Sequence, residues 1–208
     1  MNLGEPVPII LASGSPRRVN LMRSLGLEFQ VVEPREPSHP PRSENPVQLA
    51  ERLAAAKALQ FRGRGLVVAA DTLVVKGEKI YPKPSTREAA LNLLRELSGG
   101  VHEVITGVAV SCFDRLLLSS ERTVVIMRNF SEAEILTYVE SGSPMDKAGA
   151  YGIQDEFRPV QCFEGCYQNV VGLPLCNLAK LLRVFVEVKP EPPRECVSCP
   201  RVRELEGF

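Results

Sequence analysis

Segments with the patterns of strands and helices alternate along the first hundred residues, and this alternation most strongly limits the possible folds. Short apolar runs at 8–12 and 65–70 have the length and composition of buried strands. The intervening segments repeat apolar residues every three or four positions, which is typical of helices. Predicted helices run from the Ser15-Pro16 cap to Gly26, over 48–60, from Ser85 or Thr86 to Gly99, from the Ser131 cap to about 140, and from Pro174 to about 186.

Two longer strand patterns follow in the middle of the chain. They cover 103–112 and 115–127 and meet at Phe113-Asp114, so they predict an antiparallel hairpin. Further strands are predicted at 29–32 and, continuing from 65–70, as far as Val75. Strands alternating with helices favour parallel pairing, and the hairpin adds antiparallel pairing. We therefore predict an α/β fold with a central mixed sheet flanked by helices.

The bulk composition narrows the class of protein. A chain of 208 residues can form one large domain, and we assign residues 1–188 to it and 189–208 to a proline-rich, charged tail. Because 25 basic residues balance 25 acidic ones, no global charge predicts binding to nucleic acid or to a membrane surface. No apolar run approaches the ~18 residues of a membrane-spanning helix. The start of the chain lacks the basic residues of a signal peptide, and the six cysteines form no disulfide framework, so we expect a cytoplasmic protein.

The stretch LASGSPRR lies at a predicted strand-to-helix junction. Free backbone N–H groups and the positive end of a helix attract an anion there. The hydroxyls of Ser13 and Ser15 add hydrogen-bond donors, and Arg17 and Arg18 add groups that bind phosphate bidentately. The alternative is an ordinary capped helix with two solvated arginines.

A carboxylate and two lysines form a second set of candidates. Asp71 follows the buried run LVVAA, so we expect it at or near the end of a strand, where α/β sheets bind ligands. A carboxylate there can bind a metal or accept a proton from water, or it can simply turn the chain. Lys57 follows an alanine-rich helical segment, and Lys83 lies between two prolines that restrict the backbone. With Arg17 and Arg18 they would balance a triphosphate, although single lysines are usually solvated.

Residues 141–154, SGSPMDKAGAYGIQ, combine small residues with a few polar ones. Glycine and alanine allow another group to approach the backbone closely. Gln154 offers both a donor and an acceptor, which suits the reading of a base edge. The alternative is a tight structural loop.

The cysteines offer a third, weaker pattern. Cys196 and Cys199 form a CxxC pair, and Cys162 and Cys166 form a CxxxC pair. Together they could bind one zinc ion if the tail folds back. The two histidines are too isolated in the sequence to predict a catalytic dyad.

Taken in order, these motifs resemble those of a known family. LASGSPRR, RLAAAKA, AADT, KP, HEVITGVAV, PMDKAGAYGIQ and NVVGLPL are similar, in order and spacing, to the motif series of the Maf (septum-formation-inhibitor-like) nucleotide pyrophosphatases. The resemblance runs from about residue 9 to 185. It implies an α/β fold with a deep cleft between two lobes, usually in a homodimer. It also implies hydrolysis of a nucleoside triphosphate to the monophosphate and pyrophosphate with a divalent cation, Mg²⁺ or Mn²⁺.

The resemblance also implies roles for individual residues. Asp71 corresponds to the family's proposed general base. The phosphate-handling positions correspond to Ser13, Arg17, Arg18, Lys57 and Lys83, and among them we assign Lys57 and Lys83 to the catalytic set with Asp71. The dTTP/UTP branch of the family is marked by three residues that here are Arg17, Thr72 and Gln154. A 7-methyl-GTP-type pyrophosphatase, which carries other residues there, and a non-catalytic nucleotide-binding regulator of division are the alternatives.

The chain departs from the family pattern in two loops. An acidic pair is expected after the second strand, but counting from Phe29 places its last member near Ser38. Glu33 or Glu36 can take this role after a small shift, and we assign the metal ligands to Asp71 and Glu36. The segment 155–166, DEFRPVQCFEGC, also lacks the glycine-rich turn that often follows GIQ in the family.

Overall fold

Seven strands form one mixed sheet in the computed structural model, which describes residues 7–37, 44–197 and 199. The strand order is β2-β1-β3-β5-β6-β7, with β4 paired to β3. The strands are β1 (Ile9–Ala12), β2 (Gln30–Val32), β3 (Leu66–Lys76), β4 (Lys79–Tyr81), β5 (Val101–Cys112), β6 (Arg115–Met127) and β7 (Val160–Glu164). Strand β1 is parallel to both of its neighbours, and the other pairs are antiparallel. The predicted α/β class is confirmed.

Helices flank this sheet, and several begin where the sequence predicts. They are α1 (Pro16–Arg23), α2 (Pro46–Leu59), α3 (Arg87–Leu97), α4 (Glu132–Glu140), α5 (Tyr167–Val171), α6 (Leu175–Leu182) and α7 (Arg194–Val197). The Thr86 hydroxyl caps α3, and Ser131 and Glu134 form a capping box at the start of α4. Two 3₁₀ turns, Ser143–Asp146 and Ala148–Ala150, follow α4.

Some elements differ from the sequence-based prediction. Helix α1 ends at Arg23 and α6 at Leu182, each a few residues earlier than predicted. Strands β4 and β7 and helices α5 and α7 were not predicted, because they are only three to five residues long and depend on tertiary pairing rather than on local pattern. We expected Asp71 at or near the end of a strand, but it lies in the middle of β3.

The two faces of β3 pack against different helices, because side chains alternate along a strand. Val67 packs with Ala54 and Ala58 of α2 on one face. Val68 and its even-numbered neighbours pack with α1 and α6 on the other face. Further along that second face, Val74 packs with α3 and α4 in a separate hydrophobic cluster. The second face of β3 therefore contributes to two separate hydrophobic clusters.

A glycine in the central sheet allows α2 to lie unusually close. A Cβ built on Gly107 would lie 2.3 Å from the backbone carbonyl carbon and oxygen of Ala50. Any larger residue at this position would therefore push α2 away from β5. The close approach sets the height of α2 above the strand that carries Asp71, since Gly107 pairs with Asp71 across β3 and β5.

The segment after residue 188 lies against the domain as far as the structure describes it. The Glu191 N–H donates to the carbonyl of Ser24 at 2.6 Å, and the Gln168 amide donates to Glu195 at 3.4 Å. Cys196 is buried. The division of the chain at residue 188 stays a prediction. No helix in the described ranges is both long enough and apolar enough to cross a membrane.

We predict that His102 makes the fold sensitive to mild acid. Its ring is 2% exposed, and Nε2 lies 2.7 Å from the Tyr151 hydroxyl. Burial, with a smaller effect of the Lys76 charge, lowers the pKa of His102 from 6.5 to about 4. The unfolded chain therefore binds this proton between pH 6.5 and 4 while the folded protein does not, so stability falls as the pH drops through that window, by about 2 kcal/mol between pH 7 and pH 5.

The measurement is urea unfolding of the protein and of His102→Gln at both pH values. The substitution keeps a hydrogen-bonding group and removes the titration, so the variant should lose less stability than the parent over this interval. Equal losses in the two proteins would contradict the assignment.

Candidate active site

A buried lysine joins two carboxylates at the centre of the site. Lys57 is 4% exposed, and its Nζ lies 2.7 Å from Asp71 Oδ1 and 2.8 Å from Glu36 Oε2. A buried ammonium ion is tolerated only when it is paired in this way. The structure therefore brings together three of the predicted residues, from three separate segments of the chain.

The fold explains why these side chains meet. Lys57 lies in the last turn of α2, on the side that faces the sheet. Strand β1 pairs with β3 only as far as Ala12 and Ala69, so Asp71 lies just beyond the end of β1. Glu36 follows β2, which is parallel to β1 and ends at the same edge. The carboxyl ends of parallel strands thus create the site, as they do in open α/β sheets.

Glu36 is surrounded by positive charge. Partial burial would by itself raise the pKa of Glu36, but the hydrogen bond and charge of Lys57, with the charges of Lys83 and Arg18, outweigh it and hold the pKa below its usual range. Glu36 is therefore ionised at neutral pH. Of the two glutamates predicted as alternatives, it is the one that contacts Lys57, whereas Glu33 lies beside Gly14.

Arg18 approaches the same region from the opposite face of β3. Its Nε donates to the Gly172 carbonyl at 2.8 Å, and its NH2 nitrogen donates to Thr72 Oγ1 at 3.0 Å. Burial and the neighbouring Arg17 lower the pKa of Arg18, and the charges of Asp71 and Glu36 oppose this. Arg18 therefore also positions Thr72, a role that the sequence did not predict.

The start of α1 leaves backbone donors available. The Ser13 hydroxyl is buried and accepts a hydrogen bond from the Ser15 N–H at 3.1 Å. Ser15 occupies the N-cap position, as predicted, but its side chain makes no capping hydrogen bond. The N–H groups of Arg17 and Arg18 lie in the first turn, where no intrahelical acceptor exists. The Ser15 side chain does not occupy them either.

Arg17 and Gln154 are connected by a continuous set of ion pairs and hydrogen bonds. Arg17 donates to Asp146 Oδ2 at 2.6 Å, and Lys147 donates to Asp146 Oδ1 at 2.8 Å. Lys147 Nζ also lies 3.5 Å from Asp155 Oδ2, and Asp155 Oδ1 accepts from the Gln154 amide at 3.1 Å. Two residues predicted to select the substrate therefore belong to one network.

Lys83 is the most exposed of the predicted cations. It makes no hydrogen bond or close ion pair within the described ranges, but its charge acts on Glu36. Its ammonium group is therefore available to an anion entering beside Glu36.

Several residues of the site were not singled out by sequence reasoning as functional. Thr106 lies opposite Thr72 on β5, with the two hydroxyls 2.9 Å apart, and donates to the Asn169 carbonyl at 3.0 Å. Polar residues in an otherwise apolar strand were the available signal. Asp155 and Gly107 carried no such signal, because one lies within a loop and the other has no side chain.

The carboxylates fit a divalent cation, whereas the described cysteines do not gather into a metal site. Asp71 and Glu36 already converge on one cation, Lys57 Nζ, and one or two carboxylates with substrate phosphates are the usual ligands of Mg²⁺. No group of three or more His, Cys, Asp or Glu residues in the described part of the chain could hold a metal by itself. The four-cysteine zinc site on Cys162, Cys166, Cys196 and Cys199, left open as an alternative, has no such group behind it in the described residues.

The mixed sheet thus gathers cations and carboxylates beside the carboxyl ends of its parallel strands. The chain belongs to the family described as Maf-like protein, whose model matches residues 8–185. A dTTP/UTP pyrophosphatase of Dehalococcoides mccartyi (strain 195) is 46% identical over an alignment of 181 residues, which covers 84% of this chain and 81% of that relative. The dTTP/UTP pyrophosphatase of Pelotomaculum thermopropionicum is 42% identical, over 85% of this chain and 96% of its own. That of Symbiobacterium thermophilum is 44% identical, over 85% and 93%.

We predict that Lys57→Met destabilises the protein by about 3 kcal/mol at pH 7, because it leaves the largely enclosed Asp71 carboxylate without its partner. The measurement is chemical unfolding in buffer containing a chelator, so that no metal ion replaces the ammonium group. Lys79→Met is the matched control, since it removes the exposed ion pair of Lys79 with Glu96 and should change stability little. Similar losses in the two variants would show that the buried pairing is not stabilising.

Proposed function

We propose that this protein is a dTTP/UTP pyrophosphatase, which hydrolyses these triphosphates to the monophosphate and pyrophosphate. The observation that carries the proposal is the pairing of buried Lys57 with Asp71 and Glu36 beside further cations. The names of the relatives support the nucleotide class. The presence of Arg17, Thr72 and Gln154 supports the pyrimidine branch over the 7-methyl-GTP branch.

The phosphates bind through positive charge at the edge of the sheet. Arg17 and Lys83 have exposed or half-buried side chains that can turn towards an anion. Arg18 is held by Thr72 and Gly172, so it contributes charge from a fixed position. The first-turn N–H groups of α1 and the Ser13 hydroxyl add donors to the same end of the sheet.

Asp71 acts as the general base. One of its oxygens contacts Lys57, and the carboxylate accepts a proton from the water that attacks the α-phosphorus. The bond between that phosphorus and the oxygen bridging to the β-phosphorus breaks, and pyrophosphate leaves with the bridging oxygen. Lys57 orients Asp71 and offsets negative charge, and positioning with charge neutralisation supplies most of the rate in phosphoryl transfer.

Asp71 and Glu36 would hold a divalent cation, Mg²⁺ or Mn²⁺, together with the phosphates of the substrate. Such an ion supplies charge neutralisation and lowers the pKa of a bound water. Thr72 and Gln154 contact the base. A homodimer and a cytoplasmic location remain predictions, from the family resemblance and from the composition respectively.

The experiment that tests this proposal is a nucleotide panel assayed for pyrophosphate release. We expect dTTP and UTP to be hydrolysed faster than purine triphosphates and 7-methyl-GTP. A chelator should abolish turnover, and added Mg²⁺ or Mn²⁺ should restore it. Turnover of none of these nucleotides would favour the non-catalytic binding protein, and preference for 7-methyl-GTP would favour the other branch.

We predict that Asp71→Asn lowers kcat for dTTP by at least about 100-fold, the contribution expected of a positioned general base. Asparagine keeps the shape of the side chain but cannot accept the proton. Asp114→Asn, in the exposed β5–β6 turn, is the control and should retain parental turnover. Parental turnover by Asp71→Asn would remove Asp71 from the role of base.

A further inference from the structure

Gln154 is held in one orientation by the residue that follows it. Its Nε2 donates to Asp155 Oδ1 at 3.1 Å. An ionised carboxylate accepts hydrogen bonds and cannot donate them. If the amide turned over, its oxygen would face the carboxylate, and two acceptors would repel each other. The NH₂ group therefore faces Asp155, and the amide oxygen remains on the exposed side.

Asp155 is itself firmly held, so it can impose this orientation. Its Oδ2 accepts a hydrogen bond from the Tyr138 hydroxyl and lies 3.5 Å from Lys147 Nζ. Tyr138 is buried, receives the Gly152 N–H at 3.2 Å and stacks on Phe157 with ring centres 4.2 Å apart. Burial and the hydrogen bond to Asp155 raise the pKa of Tyr138, so its hydroxyl remains a donor.

The backbone is also shaped for this carboxylate. A Cβ built on Gly152 would lie 2.5 Å from Asp155 Oδ1 and 2.8 Å from Gln154 Nε2. A larger residue at 152 would displace both groups. The carboxylate and the amide thus share a space that only glycine leaves open.

We propose that Asp155 is a specificity-determining positioning residue, which fixes the Gln154 amide so that its oxygen accepts the N3–H of thymine or uracil. This inference rests on the proposed function, in which Gln154 contacts the base. Thymine and uracil share an imide whose N3–H is a donor, whereas N3 of cytosine is an acceptor. The outward amide oxygen therefore attracts the first two bases and repels the third.

The test is the ratio of kcat/KM for dTTP to that for dCTP, measured in four proteins. They are the parent, Asp155→Asn, Gln154→Ala and the double variant. An asparagine at 155 presents either an oxygen or an NH₂ group, so Gln154 can adopt both orientations. We expect Asp155→Asn to lower the ratio by about tenfold or more, the discrimination typical of a well-oriented pair of hydrogen bonds. In the Gln154→Ala background the same substitution should leave the ratio unchanged, because Asp155 acts through Gln154.

Glu156→Gln is the matched control, since it neutralises the adjacent exposed carboxylate and should leave the ratio at the parental value. An unchanged ratio in Asp155→Asn, or an equal fall in both backgrounds, would overturn the inference. If the parent itself does not hydrolyse dTTP, the proposed function is overturned instead.

A second measurement uses the unaltered protein and so does not depend on the folding of a variant. N3-methyl-dTTP lacks the N3–H but keeps the triphosphate and both carbonyl oxygens of the base. We expect its kcat/KM to lie about tenfold or more below that of dTTP. Equal values for the two nucleotides would overturn the inference.

Discussion

The paired ammonium group of Lys57 is the constraint on which the site depends. Removing such a charge from water is costly, and the cost is offset only if partners stay within contact distance. The two carboxylates that satisfy Lys57 come from the loop after β2 and from the middle of β3. One charge therefore ties together a helix, a loop and a central strand. The loop is the least regular of these three, and its carboxylate is held where the substrate's phosphates are expected.

Asp71 and Thr72 show how one strand can serve both sides of a sheet. Because neighbouring side chains on a strand point to opposite faces, Asp71 meets Lys57 of α2 and Thr72 meets Arg18 of α1. Thr72 also lies between the two hydrophobic clusters that pack on its face of the sheet. Thr72 accepts a hydrogen bond from Arg18 and donates one to Thr106, which donates in turn to the Asn169 carbonyl, so the boundary between the clusters is polar without leaving these hydroxyls unpaired.

The fold class and most longer elements could be predicted from the sequence, because they follow from local signals. The capping residues Thr86 and Ser131 mark helix starts, and the apolar run before Asp71 marks a buried strand. The elements that were missed, such as β7 and α5, are short, and they form by pairing with or packing against distant parts of the chain. Local pattern carries no information on those neighbours.

The candidate site was less accessible from the residues alone. Lys57, Asp71 and Arg17 were each singled out, but spacing does not show that Lys57 and Asp71 form a pair or that Arg17 contacts Asp146, which is 129 residues away. The family resemblance grouped the residues, whereas the contacts required the three-dimensional structure. Arg18 illustrates the difference, since its hydrogen bonds to Thr72 and Gly172 have no counterpart in any local motif.

Gly107 shows that a residue without functional groups can control the chemistry of a site. It touches neither Asp71 nor Lys57 by a side chain, yet it sets how closely α2 lies on the sheet, and the reach of Lys57 depends on that height. An alanine there would push α2 away from the sheet, and this displacement would draw the ammonium group of Lys57 away from its carboxylates. A substitution at this position can therefore impair the site without changing any charged residue.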